Sequence, residues 1–326
     1  MFYMGGEQEL AEDGLFKSTT NSGRSSLRLI LESANLRNKK VLFPDFFCEV
    51  IIDIFKEYQI EFGFYHIKDN FQICLPDDSE KYDALYLIKF FGGITDSFTK
   101  ACSSFQSCII IDDVFSPYPQ ALTCNTPWYS FNSLRKISPI SDFSLVYSNH
   151  PLKSINAESL DEFSILKYQA KKNKFEYLHN NQGNEEEYLR LFTEAEDILS
   201  NSKGIFTPST ASMVESLRFF SKLENETEAR KTNYQLINQL LPDNSVNIDA
   251  SFYSFAPVFL TNRDEIRSEL MKKNIFLAVH WPSSKVIKNT ISQSIISIPV
   301  DSRYSVDEIK SVCNNIKLME YANGRL

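Results

Sequence analysis

Short runs of apolar residues, separated by polar stretches, mark the first half of the chain. Residues 41–43, 84–88 and 108–111 are uninterrupted apolar runs, and several of their members are β-branched. Such runs are typical of strands that are buried on both faces of a parallel sheet. Between the runs, apolar residues recur at helical spacing, as they do over residues 27–34. This alternation predicts an α/β fold, with helices packed on a mainly parallel sheet.

The second half of the chain has a different pattern. A charged region is followed by a long amphipathic helical stretch that starts near Ala211 and ends before Pro242. Beyond it, we predict strands over 252–260, 275–280 and 295–299, and helices over 263–273 and 305–319. We therefore expect two domains: a large α/β domain over 1–205, which begins with an irregular arm over 1–20, and a smaller α+β domain over 206–326.

Composition excludes several classes of function. The chain has 326 residues, of which 43% are hydrophobic and 23% are charged, as in ordinary globular proteins. Its net charge of −8 argues against nucleic acid or an anionic membrane as a partner. The six cysteines and four histidines show no metal-ligand spacing, so we expect no metal site. No run has the length of a membrane span or the features of a signal peptide, so we expect a cytoplasmic protein.

The chemistry of the chain concentrates between Cys108 and Lys136. The apolar run 108–111 ends at Asp112 and Asp113, and Lys136 follows in a serine-bearing turn. In open α/β sheets, ligands bind beyond the carboxyl ends of such strands. One acid and one lysine at that edge would suit pyridoxal phosphate, since the lysine can form a Schiff base while the acid keeps the pyridine nitrogen protonated.

Two further segments suit the same kind of ligand. Residues 22–26 (SGRSS) lead into the helical pattern, and a glycine there lets backbone amides and the helix dipole approach an anion. A simply capped helix is the alternative interpretation of this segment. Phe46 or Phe47, after the strand 41–43, could stack on a flat cofactor. Packing in the core is the more common role for such aromatic residues.

Taken in order, these segments resemble the fold-type I, pyridoxal-phosphate-dependent sugar aminotransferases of the DegT/DnrJ/StrS type. Residues 22–27 (SGRSSL) are similar to the family's phosphate-cradling SG-x-x-AL turn, and 42–48 (LFPDFFC) to its corner with an aromatic residue. Residues 89–92 (KFFG) resemble its H-x-x-G strand end, 111–113 (IDD) its IED signature, and 130–136 (SFNSLRK) its turn from SF to the lysine. Near the end of the chain, 275–282 (IFLAVHWP) and 296–299 (ISIP) resemble its GI…HYP and LSLP segments.

The resemblance implies a three-layer fold like that of aspartate aminotransferase, pyridoxal 5'-phosphate as cofactor, and specific residue roles. Lys136 would be the Schiff-base lysine, Asp113 the partner of the pyridine nitrogen and Phe47 the cover of the ring. The other implied cofactor contacts are Ser22, Gly23, Arg24, Ser25, Ser116, Ser130 and Ser133, and the implied substrate contacts are Arg135, His280 and Trp281. The implied enzyme is a homodimer in polysaccharide biosynthesis that aminates a nucleotide-linked keto-sugar, with an amino-acid donor such as glutamate.

The chain differs from the family pattern at two places. Ser141-Asp142-Phe143 stands where the family has a glycine pair, and Ser116 stands where it has His or Gln. Two alternatives stay open: a pyridoxal-phosphate enzyme of another reaction type, such as a decarboxylase or lyase, and a non-catalytic ligand-binding relative on the same fold. A nicotinamide dehydrogenase is disfavoured because no G-x-G-x-x-G follows a strand.

Overall fold

The computed structural model describes residues 13–155 and 158–322, and a mixed sheet of eight strands forms its centre. The strands are β1 (Phe16–Thr20), β2 (Lys40–Pro44), β3 (Glu61–Ile67), β4 (Ile73–Cys74), β5 (Ala84–Ile88), β6 (Ile109–Asp112), β7 (Trp128–Phe131) and β8 (Ser144–Ser148). Their order across the sheet is β1-β8-β7-β6-β5-β2-β3-β4. The strands from β7 to β3 are parallel, whereas β8 and β4 run antiparallel to their inner neighbours. The predicted α/β fold with a mainly parallel sheet is confirmed.

Helices surround this sheet and continue into the second half of the chain. They are α1 (Gly23–Ser33), α2 (Val50–Glu57), α3 (Asp96–Ser104), α4 (Asp161–Asn180), α5 (Glu185–Asn201), α6 (Thr210–Ser221), α7 (Leu223–Leu240), α8 (Arg263–Met271), α9 (Ile291–Ser294) and α10 (Val306–Ala322). All residues of β5 and β6 are buried, so both faces of the sheet are covered there. Among the helices of the described ranges, none combines the length and the apolar character that crossing a membrane requires.

A smaller sheet lies in the second half of the chain. It pairs β9 (Phe255–Phe259) antiparallel with β10 (Ile295–Pro299), and α7 packs against β9 and α10. Buried apolar residues of both strands, with others from α8 and α10, form the core of this region. The domain boundary at residue 205 stays a prediction.

Two predictions about secondary structure are wrong. The segment 275–280 is not a strand; its one described ladder contact is an isolated bridge between Ala278 and Ser297. Residues 16–20 are not irregular, because they form β1 and pair with β8 along their whole length. β1 is polar and lies at the sheet edge, so its strand form depends on backbone hydrogen bonds rather than on an apolar pattern. The rest of the predicted arm, residues 1–12, lies outside the described residues.

Candidate active site at the carboxyl edge of the sheet

The parallel register brings the ends of three strands to one edge of the sheet. Ile88 at the end of β5 is level with Asp112 of β6, and Asp112 is level with Phe131 of β7. The start of α1 reaches the same edge, because a Cβ atom on Gly23 would lie only 3.2 Å from the Phe131 ring and 3.4 Å from Val114. The residues that directly follow these strands, and the first turn of α1, therefore share one site.

We call Tyr86, Lys89, Asp112, Asp113 and Ser116 the acid end of this site. Lys89 Nζ lies 2.9 Å from Asp113 Oδ2, and the Ser116 hydroxyl donates a short hydrogen bond to Asp113 Oδ1. The side chains of Lys89 and Asp113 are only 5% and 0% exposed. The Tyr86 hydroxyl donates to Asp112 Oδ2 at 2.7 Å. The predicted ring-nitrogen acid therefore lies at the strand end, with an ammonium group already bound to it.

Burial controls the ionisation of both acids. It raises the pKa of Asp112 to about 6, against the lowering effect of the Tyr86 hydrogen bond. Burial also raises the pKa of Asp113, although the charge of Lys89 opposes this. Lys89 therefore favours the carboxylate form of Asp113 at neutral pH.

Lys136 closes a one-turn 3₁₀ segment, Leu134–Lys136, that follows β7. Leu134 is buried and anchors the turn, while the Lys136 residue is exposed. Burial of the Lys136 amine lowers its pKa, and the charge of Arg135 lowers it further. In turn, the charge of Lys136 lowers the pKa values of Asp112 and His280. Lys136 is thus within electrostatic reach of both, whereas the ion pair of Asp113 is with Lys89.

The first turn of α1 presents polar groups beside this turn. The Ser22 hydroxyl accepts from Ser25 N–H at 3.3 Å, so the capped-helix interpretation holds. Asn21 Oδ1 accepts hydrogen bonds from the hydroxyls of Ser22 and Ser25, each at 2.8 Å. Within the described residues, Asn21 Nδ2 and Ser130 Oγ are buried without a hydrogen-bond partner. Such unpaired atoms are uncommon in folded proteins, and a bound polar ligand would satisfy them.

Four side chains next to this turn form a group that we call the basic cluster: Arg24, Arg135, Lys167 and Glu196. Glu196 Oε1 lies 2.6 Å from both Arg135 Nη1 and Lys167 Nζ, and Glu196 Oε2 lies 3.6 Å from Arg24 Nη2. Burial alone would raise the pKa of Glu196, but Arg135 and Lys167 together lower it to about 2. Sequence analysis assigned Arg24 and Arg135 to the cofactor and the substrate, and it missed Lys167 and Glu196.

The aromatic candidates pack against protein. The fully buried Phe47 ring meets Phe43 edge-on at 4.5 Å and stacks near Phe64 at 6.0 Å. Phe46 is buried as well and contacts Trp281 edge-on at 5.2 Å. Whether either ring covers a cofactor stays a prediction.

His280 and Trp281 reach the large sheet from the second half of the chain. The His280 ring lies edge-on to Phe115 at 5.4 Å, and its Nδ1 is 2.9 Å from Ser297 Oγ. Burial lowers the pKa of His280 to about 3, with a further contribution from the charge of Lys136. His280 is therefore neutral at pH 7, and its substrate role stays a prediction.

Two buried polar residues that sequence analysis did not assign hold the lysine turn in place. Asn132 donates to the carbonyls of Ser116 and Pro117 at 3.1 and 2.7 Å, and it accepts from Leu145 N–H at 2.8 Å. It thus ties the end of β7 to the loop after the acids and to β8. The sequence gives little indication of this role, since a polar residue near a predicted strand end has many possible functions.

Asp142 is the second of these residues, and it lies in the segment that replaces the family's glycine pair. Its carboxylate accepts from Ser209 N–H at 2.9 Å and from the Ser209 hydroxyl at 2.7 Å, and the Ser212 hydroxyl also donates to it. These bonds cap the start of α6. The departure from the family pattern therefore has a structural role.

The fold is similar to the folds of solved aminotransferases. A structure of a DegT DnrJ EryC1 StrS aminotransferase from Brucella abortus superimposes with a TM-score of 0.62 and 14% identity, over 95% of this chain and 86% of that one. DesI, solved in the presence of its TDP-sugar product, gives a TM-score of 0.63 and 12% identity, over 94% and 81%.

Spr1654 from Streptococcus pneumoniae, in its PMP form, gives a TM-score of 0.66 and 12% identity, over 94% of this chain and 86% of that one. A PLP form of the same protein is also similar. No protein-family model and no curated protein matches the sequence. At these identities the likeness establishes the fold, and it confirms the predicted structural resemblance to this class.

The residues of the site fit pyridoxal phosphate at one end more fully than at the other. Lys136 offers an amine of lowered pKa, and the unpaired Asn21 Nδ2 and Ser130 Oγ suit a phosphate group beside the helix start. Asp113 is at the position expected for the ring-nitrogen acid, but Lys89 is its resident counter-ion. The amine and phosphate contacts therefore fit, and the acid is present in a paired form.

Proposed function

We propose that this chain is a pyridoxal-phosphate-dependent aminotransferase that converts a nucleotide-linked keto-sugar to an amino-sugar, with an amino-acid donor such as glutamate. The observation that carries the proposal is the Lys136 amine. Its pKa is lowered by burial and by the charge of Arg135, and it follows a strand end at the carboxyl edge of the sheet. A lysine next to other cations is more reactive at neutral pH because more of it is uncharged.

Each residue of the site would have a defined task. Lys136 would hold the cofactor covalently, and the helix start with Ser22, Gly23 and Ser25 would bind its phosphate, assisted by Ser130. When bound, the cofactor would supply the electron sink for amino-group transfer. The freed Lys136 amine would then move a proton at the α-carbon of the donor.

The nucleotide-linked substrate is supported by structural likeness. DesI, which shares this fold, was solved with a TDP-sugar product. A role in surface-polysaccharide synthesis and a cytoplasmic location stay predictions of the same resemblance.

A labelling experiment tests the role of Lys136. The protein is incubated with pyridoxal phosphate, reduced with borohydride and digested, and the modified peptide is identified by mass spectrometry. We expect the label on Lys136 and its loss in Lys136→Ala. Lys171 is the matched control, because burial lowers its pKa to about 7, yet Lys171→Ala should retain the label. A label on Lys171 or Lys89 would contradict the proposed role of Lys136.

Incubation of the cofactor-loaded protein with glutamate distinguishes amino-group transfer from the other reactions of this cofactor. Conversion of the bound cofactor to the pyridoxamine form, seen in the absorbance spectrum, supports transfer. An unchanged spectrum favours a decarboxylase or lyase.

The ion pair between Lys89 and Asp113 favours a second candidate, a non-catalytic ligand-binding relative on the same fold. The carboxylate expected to bind the ring nitrogen has an ammonium group at 2.9 Å, so the ring would have to compete with it. A protein that stays colourless after incubation with pyridoxal phosphate would support this candidate.

The proposed oligomer is a homodimer. The α6 helix presents Met213, Val214 and Leu217, which are 49%, 47% and 72% exposed, and the exposed Tyr118 stacks on Phe220 of the same helix at 4.8 Å. Apolar surface of this kind is commonly covered by a partner. Light scattering on the purified chain should give twice the monomer mass, and Leu217→Glu should lower it.

A further inference from the structure

The basic cluster joins four segments that are distant in the sequence. Arg24 belongs to the first turn of α1, Arg135 to the turn after β7, Lys167 to α4 and Glu196 to α5. The helices α4 and α5 pack on each other as an antiparallel pair, and the cluster is where this pair meets the carboxyl edge of the sheet. The fold thus builds the cluster at the edge that carries Lys136.

The charges of the cluster are not balanced. Three cations surround a single carboxylate, so the cluster has two positive charges in excess. The side chains of Arg24, Arg135 and Lys167 are only 16%, 10% and 10% exposed, whereas Glu196 is 36% exposed. Removal of cations from water is costly unless they are paired, so packing alone does not account for this excess.

Unsatisfied hydrogen-bonding capacity accompanies the excess charge. Among the described residues, Arg135 Nε is buried without a partner. The two short contacts of Glu196 go to the same oxygen, Oε1, so one carboxylate oxygen serves both Arg135 and Lys167. The positive end of α1 begins one residue before Arg24 and adds to the local field. What the cluster lacks is an anion with several acceptor oxygens.

We propose that the basic cluster binds a phosphate-ester dianion, and that Glu196 is the resident counter-ion with which this ligand competes. The proposal of an anion-binding site is based on the basic cluster alone, whereas the role of this site in catalysis rests on the proposed function. In that setting the dianion is either the phosphate of the cofactor or the diphosphate of the nucleotide-linked sugar. Both sources present the same phosphate oxygens to Arg24, Arg135 and Lys167.

Calorimetric titration of the full chain with inorganic pyrophosphate tests this site. Lys167→Met should weaken binding about tenfold or more, since it removes one charge at contact distance, and Lys167→Arg should retain most of the affinity. Glu196→Gln should tighten binding about tenfold, because it removes the competing charge and keeps the side-chain shape. Glu194→Gln, on the solvent side of the same helix and paired with Arg190, is the matched control and should change nothing.

The Glu196 result is decisive, because a purely structural role predicts no increase in pyrophosphate affinity. If Glu196 only holds the helices together, Glu196→Gln should leave pyrophosphate affinity equal or weaker, and this would overturn the proposal. Absence of pyrophosphate binding to the folded wild-type chain would also overturn it. Thermal unfolding of each variant confirms that it is folded at the titration temperature.

Borohydride-reduced protein, with the cofactor fixed on Lys136, identifies the source of the phosphate. Loss of pyrophosphate binding after reduction assigns the cluster to the cofactor's phosphate, and retained binding assigns it to the substrate's diphosphate. Both results support an anion site. The proposed function fails separately, by absence of the Lys136 label, and the pyrophosphate titration of the unlabelled chain stays interpretable in that case.

Discussion

The acid end and the basic cluster both lie within electrostatic reach of Lys136, but they treat charge differently. At the acid end the charges are satisfied within the protein, since Lys89 and Ser116 bind Asp113 while Tyr86 binds Asp112. In the basic cluster one carboxylate serves three cations. The acidic groups are thus satisfied by side chains of this protein, whereas the basic cluster has excess positive charge that an anion from outside the protein would balance.

The largest expected effect is at the Lys89–Asp113 pair. Lys89→Met and Asp113→Asn should each lower the free energy of unfolding by about 3 to 5 kcal/mol, because each leaves a buried charge without its partner. The double variant should cost clearly less than the sum, since neither charge then remains. Guanidinium unfolding of the four proteins measures this coupling.

The exposed ion pair Arg190–Glu194 is the control for this double-mutant comparison. Its coupling should stay below about 0.5 kcal/mol, as for other surface pairs. If the Lys89 and Asp113 effects add, the acid end is not internally balanced and the comparison fails.

The free energy of unfolding should depend on pH with opposite signs at the acid end and in the basic cluster. The pKa of Asp112 is raised from 3.8 to about 6, so in this window the folded protein binds a proton that the unfolded chain lacks. Stability should therefore fall as pH rises from about 4 to 6, by an amount on the order of 3 kcal/mol. The pKa of Glu196 is lowered from 4.5 to about 2, so its contribution to stability should rise as pH rises through that lower window.

Urea unfolding at a series of pH values measures both slopes. Asp112→Asn should reduce the fall between pH 4 and 6, with the remainder due to Asp113, and Glu196→Gln should reduce the rise at lower pH. Equal slopes in Asp112→Asn and the parent would show that this acid ionises normally in the folded protein.

The smallest expected effect concerns the residue that links the lysine turn to the acid end. Asn132→Ala should lower the free energy of unfolding by about 2 kcal/mol, because it removes bonds to two carbonyls and one N–H group. It should also reduce the yield of pyridoxyl label on Lys136. Asn149→Ala removes similar bonds near the opposite end of β7, so it should cost comparable stability and leave the label unchanged. Equal labelling in both variants would mean that Asn132 does not position the turn.

The sequence predicted the central strands because their burial on both faces requires continuous apolar runs. β5 and β6 are of this kind, and their limits locate the edge that carries Asp112 and Asp113. It did not predict β1, whose five residues FKSTT are mostly polar and gain their form by pairing with β8. It also assigned a strand to 275–280, where Leu277 is buried but Phe276 is exposed and no ladder forms.

Lys89 shows why the site was harder to predict than the fold. A single lysine after an apolar run carries no distinct signal, and its partner is 24 residues away. The pair depends on the register that sets Ile88 level with Asp112, which only the folded sheet defines. Charged residues that follow each of two apolar runs, 84–88 and 108–111, are the pattern that could have indicated it.

The carboxylate of Asp142 has a mechanical consequence. It grips the opening turn of α6 through three donors, only six residues beyond Lys136 in the chain. The loop after Lys136 and the helices that follow residue 209 are therefore connected by hydrogen bonds. Loss of the Asp142 carboxylate would leave the start of α6 without its hydrogen-bond acceptor and separate this helix from the segment after Lys136.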